Sequence, residues 1–314
     1  MFKKLTLLIL VVGFLLSPGS STALSAEKLK FGTSSRFFPY YYLPVLVAED
    51  RGFWKENGLE IEFIPFRGGA PLYKAVASGD IKIGIASTSS ILQAASAGVP
   101  LLIVAQVSSA PSFYIWVRGD SPLKEPKDLK GARIGVTGMG SLTHIYAQAV
   151  TRALGIEKDV KVVGTGGVPE STAALKAGVI DATPLDAFHY MELELKGEVR
   201  KLLRVDDYLP REWVETSVFA EKDFAKRNPE VVRRVVKTIV KALDSIHENP
   251  RQTMDKMKGE SKYSEEGAKS AFNILSFNRG GKISKKGLEN VMAFLIEYGL
   301  IKKERAIAID EVYT

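Results

Sequence analysis

The stretch Lys82-Ile83-Gly84-Ile85-Ala86-Ser87-Thr88-Ser89-Ser90-Ile91-Leu92-Gln93-Ala94-Ala95-Ser96-Ala97-Gly98-Val99-Pro100 holds one complete fold unit. Its apolar start, 82–86, reads as a buried strand. The hydroxyl cluster that follows is suited to cap the free N–H groups of a helix over 89–97, and Gly98-Val99-Pro100 stops that helix. The same sequence of apolar run, punctuation and amphipathic stretch recurs on both sides. Upstream, strands are expected at 29–33 and 60–66, with helices at 43–57, ended by Gly58, and at 71–78, with Pro71 in its first turn. A further strand at 101–107 follows, and the series predicts a parallel open sheet.

After the apolar run 113–118, Gly119-Asp120-Ser121-Pro122 and Pro126 break the pattern, and the chain is expected to leave the first sheet there. A second series then begins, with strands at 132–136, 160–163, 179–182 and 202–205 and helices at 141–154, 170–177 and 186–196. A return strand is expected at 216–220, and from Glu221 onward the pattern is helical, broken at Asn228-Pro229, Asn249-Pro250 and Gly280-Gly281. The reading is an α/β protein of two similar lobes joined by two crossover segments, with C-terminal helices packed on the first. Lobe 1 is expected over 27–115 and 219–314, and lobe 2 over 119–215. Lobes joined by two extended segments can close as rigid bodies over a small ligand.

Composition narrows the function. The 314 residues are 46% hydrophobic and 25% charged, a globular profile that leaves no room for a disordered or collagen-like chain. With no Cys there is no disulfide framework, thiolate metal site, cysteine nucleophile or lipoprotein anchor. His144, His189 and His247 are too scattered for a metal cluster, and no cofactor is expected. Met1-Phe2-Lys3-Lys4, the apolar stretch from Leu5 to Leu16 and the small residues ending at Ala23 read as a secretory signal peptide over 1–23, with a second possible cleavage after Ala26. That apolar stretch is shorter than the ~20 residues that span a bilayer, so a free periplasmic protein is expected. The net charge of +7 includes Lys3 and Lys4, and the other basic residues are interleaved with acids, which argues against nucleic-acid binding.

In open α/β sheets ligands sit beyond the carboxyl ends of the strands, so the turns there supply the candidate site. The first is the aromatic turn with Ser34, Arg36, Phe38, Tyr40 and Tyr41, where rings can wall a pocket and Arg36 can pair with an anion. The second strand leads to Gly69, and the third to Thr88, Ser89 and Ser90. Facing these in the second series stand Gly138, Gly140, Ser141, Thr143 and His144, where glycines allow close backbone approach and Ser141 can cap a helix. Asp186 and Phe188 add one acid and one ring, although Asp186 is equally suited to be an N-cap. Two hydroxyl-lined helix starts across one cleft make an anion clamp. Gly138-Met139-Gly140 has Thr143 where a dinucleotide fingerprint needs its third Gly, and there is no phosphate loop, so a nucleotide enzyme is not expected.

Four segments carry a resemblance. Pro44-Val-Leu-Val-Ala-Glu-Asp-Arg-Gly52-Phe53-Trp54-Lys-Glu-Asn-Gly58-Leu59-Glu60-Ile61, Ala77-Ser78-Gly79-Asp80-Ile81, Asp128-Leu129-Lys130-Gly131-Ala-Arg-Ile134-Gly135-Val136 and Ala174-Leu175-Lys176-Ala177-Gly178-Val179-Ile180-Asp181-Ala182 occur in an order that resembles the nitrate/sulfonate/taurine type of ABC-importer substrate-binding protein, which includes binders of pyrimidine thiamine precursors. The resemblance spans about residues 29–250. It implies a type II periplasmic-binding fold, capture of a small solute, and delivery to a membrane permease and its ATPase. The turns favour an anionic or aromatic solute, and with no catalytic motif in view a monomer that is not an enzyme is expected. Some relatives are cytosolic pyrimidine synthases with a Cys-rich motif, which this chain lacks. The alternatives are a periplasmic sensor protein, and an enzyme on the same fold with His144 and Asp186 as acid and base.

Overall fold

The computed structural model describes residues 26–34, 39–66, 68–139 and 141–314, and of Pro39 and Tyr40 the backbone. The expected signal segment 1–23 lies outside these residues. Among the described residues no helix is long and apolar enough to cross a membrane. In chain order the first series runs β1 (Glu27–Thr33), α1 (Pro39–Asp50), α2 (Phe53–Glu56), β2 (Leu59–Pro65), α3 (Gly69–Ala77), β3 (Ile83–Ser87), α4 (Thr88–Ser96) and β4 (Leu101–Ser108). The second is β5 (Phe113–Arg118), β6 (Arg133–Val136), α5 (Leu142–Ala153), β7 (Lys161–Gly164), α6 (Val168–Lys176), β8 (Ala182–Asp186), α7 (Ala187–Leu195) and β9 (Val199–Arg204). Then come β10 (Thr216–Glu221), α8 (Lys222–Arg227), α9 (Pro229–Glu248), α10 (Pro250–Ser261), α11 (Glu265–Asn273) and α12 (Lys285–Glu297).

Two five-stranded sheets result, ordered β2-β1-β3-β10-β4 and β7-β6-β8-β5-β9. Both are mixed, which corrects the expectation of a parallel first sheet. β10 runs antiparallel to β3 and β4, and β5 runs antiparallel to β8 and β9. The cause is connectivity: each antiparallel strand is the first one formed after the chain crosses between lobes, so no helical crossover reverses it before it pairs. For the same reason 113–118 belongs wholly to the second sheet, and the first crossing is 109–112, not the Gly-Pro-rich segment after Arg118.

Two other boundaries moved for local reasons. The helix expected over 43–57 is broken after Asp50, because Gly52 adopts φ 71, a left-handed conformation that ends α1 and starts α2. The strand expected at 179–182 lies at Ala182–Asp186. Gly178 turns at φ 69, and Asp181 bonds Arg133 at the start of β6: its N–H donates to the Arg133 carbonyl at 2.8 Å, and the Arg133 backbone N and guanidinium Nη2 donate to its carboxylate at 2.8 and 2.7 Å.

The first sheet packs tightly enough that Gly84 has no room for a side chain. A Cβ there would lie 2.3 Å from the Gly32 carbonyl oxygen and 2.7 Å from the Phe219 ring. α9 and α10 lie against α1, and α12 against α4, which places the C-terminal helices on the first lobe. α11 also reaches the second lobe at α7, where Ser264 donates its N–H and hydroxyl to Glu192 at 2.8 Å each, and Tyr263 donates to the Phe188 carbonyl at 2.7 Å.

Candidate functional site

A cavity of about 700 Å³ opens between the lobes at the carboxyl ends of the strands. Lobe 1 contributes Ser34 after β1, Tyr41 of α1, Gly68 before α3 and Ser87 at the end of β3. Lobe 2 contributes Thr137 after β6, Leu142 and Thr143 of α5, the turn 166–169 that opens α6, Phe113 and Leu185 at strand ends, and His189 of α7. Most of this wall is apolar, from Phe113, Leu142, Val168, Pro169 and Leu185 of lobe 2, and polar side chains reach it from both lobes.

The lobe 2 hydroxyls form a connected set. Ser141 is the N-cap of α5, accepting from the His144 N–H at 3.3 Å, and its Oγ lies 2.8 Å from Thr143 Oγ1. Thr143 Oγ1 accepts from the Thr137 N–H at 2.9 Å and meets Thr137 Oγ1 at 2.9 Å. The hydroxyls therefore hold one another as well as the helix start, and Thr137 and Thr143 border the cavity. Across the cleft, Ser87 is the N-cap residue of α4 but makes no side-chain cap. Its Oγ donates instead to Ser90 Oγ at 3.0 Å, and Ser90 meets Tyr73 at 2.6 Å.

His189 gives the cleft a titratable group paired with a buried acid. Asp186, at the end of β8, is fully buried and caps α7, accepting from the His189 N–H at 3.2 Å. Its other carboxylate oxygen lies 2.7 Å from His189 Nδ1. Burial pulls the imidazolium pKa down, but the charge and hydrogen bond of Asp186 outweigh it, so the pKa stands above the ordinary value. With Nδ1 committed to the carboxylate, the ring is fixed in orientation, and Nε2 donates when the ring is protonated and accepts when it is neutral. His144, by contrast, has its pKa lowered by burial. Asp186 is paired with His189, a partner that the acid and base pair considered for an enzyme did not include.

Of the residues expected from the sequence, Ser34, Tyr41 and Thr143 border the cavity. Gly69, Thr88, Ser89, Ser90, Gly138, Ser141, His144, Asp186 and Phe188 are not among its lining residues. Thr88, for example, is fully buried, with Oγ1 2.8 Å from Ser217 Oγ. Arg36, Phe38, Gly140 and the side chain of Tyr40 lie outside the described residues. The sequence reading passed over the turn Gly166-Gly167-Val168-Pro169, although a glycine pair ahead of Pro at a helix start marks it. It also passed over His189, one helical turn beyond Asp186 on the same face.

The chain matches the NMT1/THI5 like family model over residues 40–253. It is 29% identical over 214 residues to the taurine-binding periplasmic protein of Escherichia coli, covering 66% of this chain and 64% of that protein, just under two thirds of its length. It is 24% identical over 238 residues to a 4-amino-5-hydroxymethyl-2-methylpyrimidine phosphate synthase of Saccharomyces cerevisiae, covering 72% and 69% of the two chains. Its fold is similar to that of the periplasmic aliphatic sulphonate binding protein SsuA from Escherichia coli, with TM-score 0.76, 19% identity and 91% of each chain covered. The two-lobed architecture is that of the periplasmic binding proteins. Sequence match, strand order and interlobe cleft agree, and the chain belongs to the NMT1/THI5-like family.

Proposed function

We propose that this protein captures a small organic anion between its lobes outside the cytoplasm and passes it unchanged to a membrane permease coupled to an ATPase. The observation that carries the reading is the polarity of the cleft. Phe113, Leu142, Leu185 and Tyr41 offer an apolar wall, while His189, backed by buried Asp186, stands on the same cavity as the Thr137 and Thr143 hydroxyls. A ligand with one anionic group and a compact apolar body satisfies both parts. Sulfonates and carboxylates with short alkyl or aryl bodies are the first candidates, and the names of the taurine- and sulphonate-binding relatives support the sulfonates. Docking to a permease, action as a monomer and export by residues 1–23 belong to the same proposal.

An enzyme is the second reading, because a relative is named as a pyrimidine phosphate synthase and His189–Asp186 has the form of an oriented base. A thermal-shift screen of protein stripped of carried-over ligand, against alkyl and aryl sulfonates, aromatic carboxylates, nitrate and aminopyrimidines, tests capture. A ligand at a hundred times its dissociation constant adds about 2.7 kcal/mol. Recovery of that ligand unchanged after incubation supports a binding protein, and its conversion supports the enzyme. No shift with any class contradicts anion capture.

A further inference from the structure

Glu215, in the second crossing between the lobes, is buried at 3% exposure and is not part of the cleft wall. Its main chain is fixed to lobe 1: its N–H donates to the Ser108 carbonyl at 3.0 Å, and its carbonyl accepts from the Thr88 N–H at 2.8 Å. Its side chain reaches both lobes. Tyr41 of α1 donates to Oε1 at 3.0 Å, Tyr146 of α5 donates to Oε2 at 3.3 Å, and Trp213 Nε1 donates to Oε2 at 2.9 Å. Tyr41 is a wall of the cavity, and α5 carries Leu142 and Thr143 into it. Among the described residues Glu215 has no ion pair. The titratable and charged groups facing it are Tyr41, Tyr146 and Asp206, the last paired with Arg204.

We propose that the Glu215 carboxyl is the latch between the lobes, tying Tyr41 of the cleft wall to Tyr146 of lobe 2, with its proton setting how firmly it holds. Rotating lobe 2 away stretches the Tyr146 bond and leaves a buried oxygen short of a donor, so opening is resisted. When Glu215 is protonated all of its contacts survive, since Oε2–H can donate to Tyr146 while Trp213 still donates to Oε2 and Tyr41 to Oε1. When it is ionised, a full charge with no ion pair among the described residues sits in the hinge, and opening that admits water relieves it. Burial pushes the pKa of Glu215 up to about 7, which puts the change of state near neutral pH. By linkage, a state with the higher pKa is favoured as pH falls. The latch therefore tightens below neutrality and loosens above it. This goes beyond solute capture and concerns the hinge itself.

The chain has no Cys, so paired Ala77→Cys and Ala177→Cys substitutions, at exposed positions that close α3 and follow α6 at their cleft-distal ends, accept spin labels at two sites only. Electron–electron distance measurements without ligand then report the interlobe separation. In the otherwise wild-type sequence the distribution should widen or shift as pH rises from 6 to 8.5. Glu215→Gln, which keeps a neutral hydrogen-bonding group, should give the low-pH distribution throughout. Tyr146→Phe, which keeps the ring packed on Phe113 at 4.9 Å, should give a widened distribution at both pH values. A flat wild-type response, an equal pH response in Glu215→Gln, or an unaltered distribution in Tyr146→Phe overturns the latch. None of these readouts depends on the identity or existence of a captured solute, so failure here is distinguishable from failure of the proposed function.

Discussion

Replacing Glu215 by Gln should raise the stability of the protein at pH 8 and leave it close to wild type at pH 5. The carboxyl group is buried and its pKa moves from an ordinary 4.5 to about 7, chiefly by desolvation, with the Trp213, Tyr41 and Tyr146 hydrogen bonds pulling the other way and Asp206 adding to the rise. Between those two values the unfolded chain is ionised at this position and the folded chain is protonated. The folded state then binds one more proton, so the free energy of unfolding falls with rising pH by about 1.4 kcal/mol per pH unit. Integrated across the window, the ionised carboxylate costs the folded state about 3 kcal/mol, a cost fully present above pH 7 and gone below pH 4.5. Gln keeps the volume and hydrogen-bonding capacity without the charge. Urea unfolding of both proteins at pH 5, 6, 7 and 8 measures the effect as a difference between profiles. Asp206, raised to about 6, and His189, also raised, give slopes of the same sign, but both are present in wild type and variant and cancel in the difference to first order. The curves should diverge by about 3 kcal/mol at the alkaline end. Parallel profiles from pH 5 to 8 would refute the assignment of a neutral, buried carboxyl to the hinge.

Four further outcomes follow from the same geometry. His189→Gln should weaken binding of an anionic ligand about ten- to a hundredfold, the loss expected for one hydrogen bond to a charged group; calorimetric titration reads it, and unchanged affinity contradicts the role given to the ring. In wild type that affinity should fall as pH rises through the elevated His189 pKa, because only the protonated ring both pairs with Asp186 and donates from its far edge. Ser141→Ala should cost about 1 kcal/mol of stability by uncapping α5, measured by urea unfolding, and should weaken the ligand by disturbing Thr143. Gly84→Ala should lower the melting temperature sharply, by about 1–3 kcal/mol or more of overpacking, since its Cβ would meet backbone as well as the Phe219 ring.

The alternation of apolar runs with capped amphipathic stretches was enough to read two βα series, because hydrophobic periodicity is local and the strands alternate with helices along the chain. What escaped was set at a distance. Nothing within 113–118 says which sheet its strand joins; its pairing with β8 and β9 is made by residues some seventy and ninety positions away. The turn into β8 is tied by Asp181 to Arg133 of β6, forty-eight positions earlier. Candidate-site residues were legible to the level of the turn. Ser34, Tyr41 and Thr143 are on the cavity, while Thr88 and Asp186 sit directly behind wall residues Ser87 and His189. Hydroxyls and acids at strand ends serve caps and buried bonds first, and a sequence does not say which member of a cluster turns toward the cleft. Glu215 was invisible for a related reason, since its meaning lies in Tyr41 and Tyr146, brought to it from both lobes.

Solute capture between the lobes is tested most directly by titrating the best ligand of the thermal-shift screen into wild type and into Leu142→Trp, which places a large ring in the cavity at the start of α5. We expect saturable one-to-one binding to wild type and loss of binding to a stably folded Leu142→Trp. Equal affinity in the two proteins would place the ligand elsewhere and contradict the cleft as the site of capture.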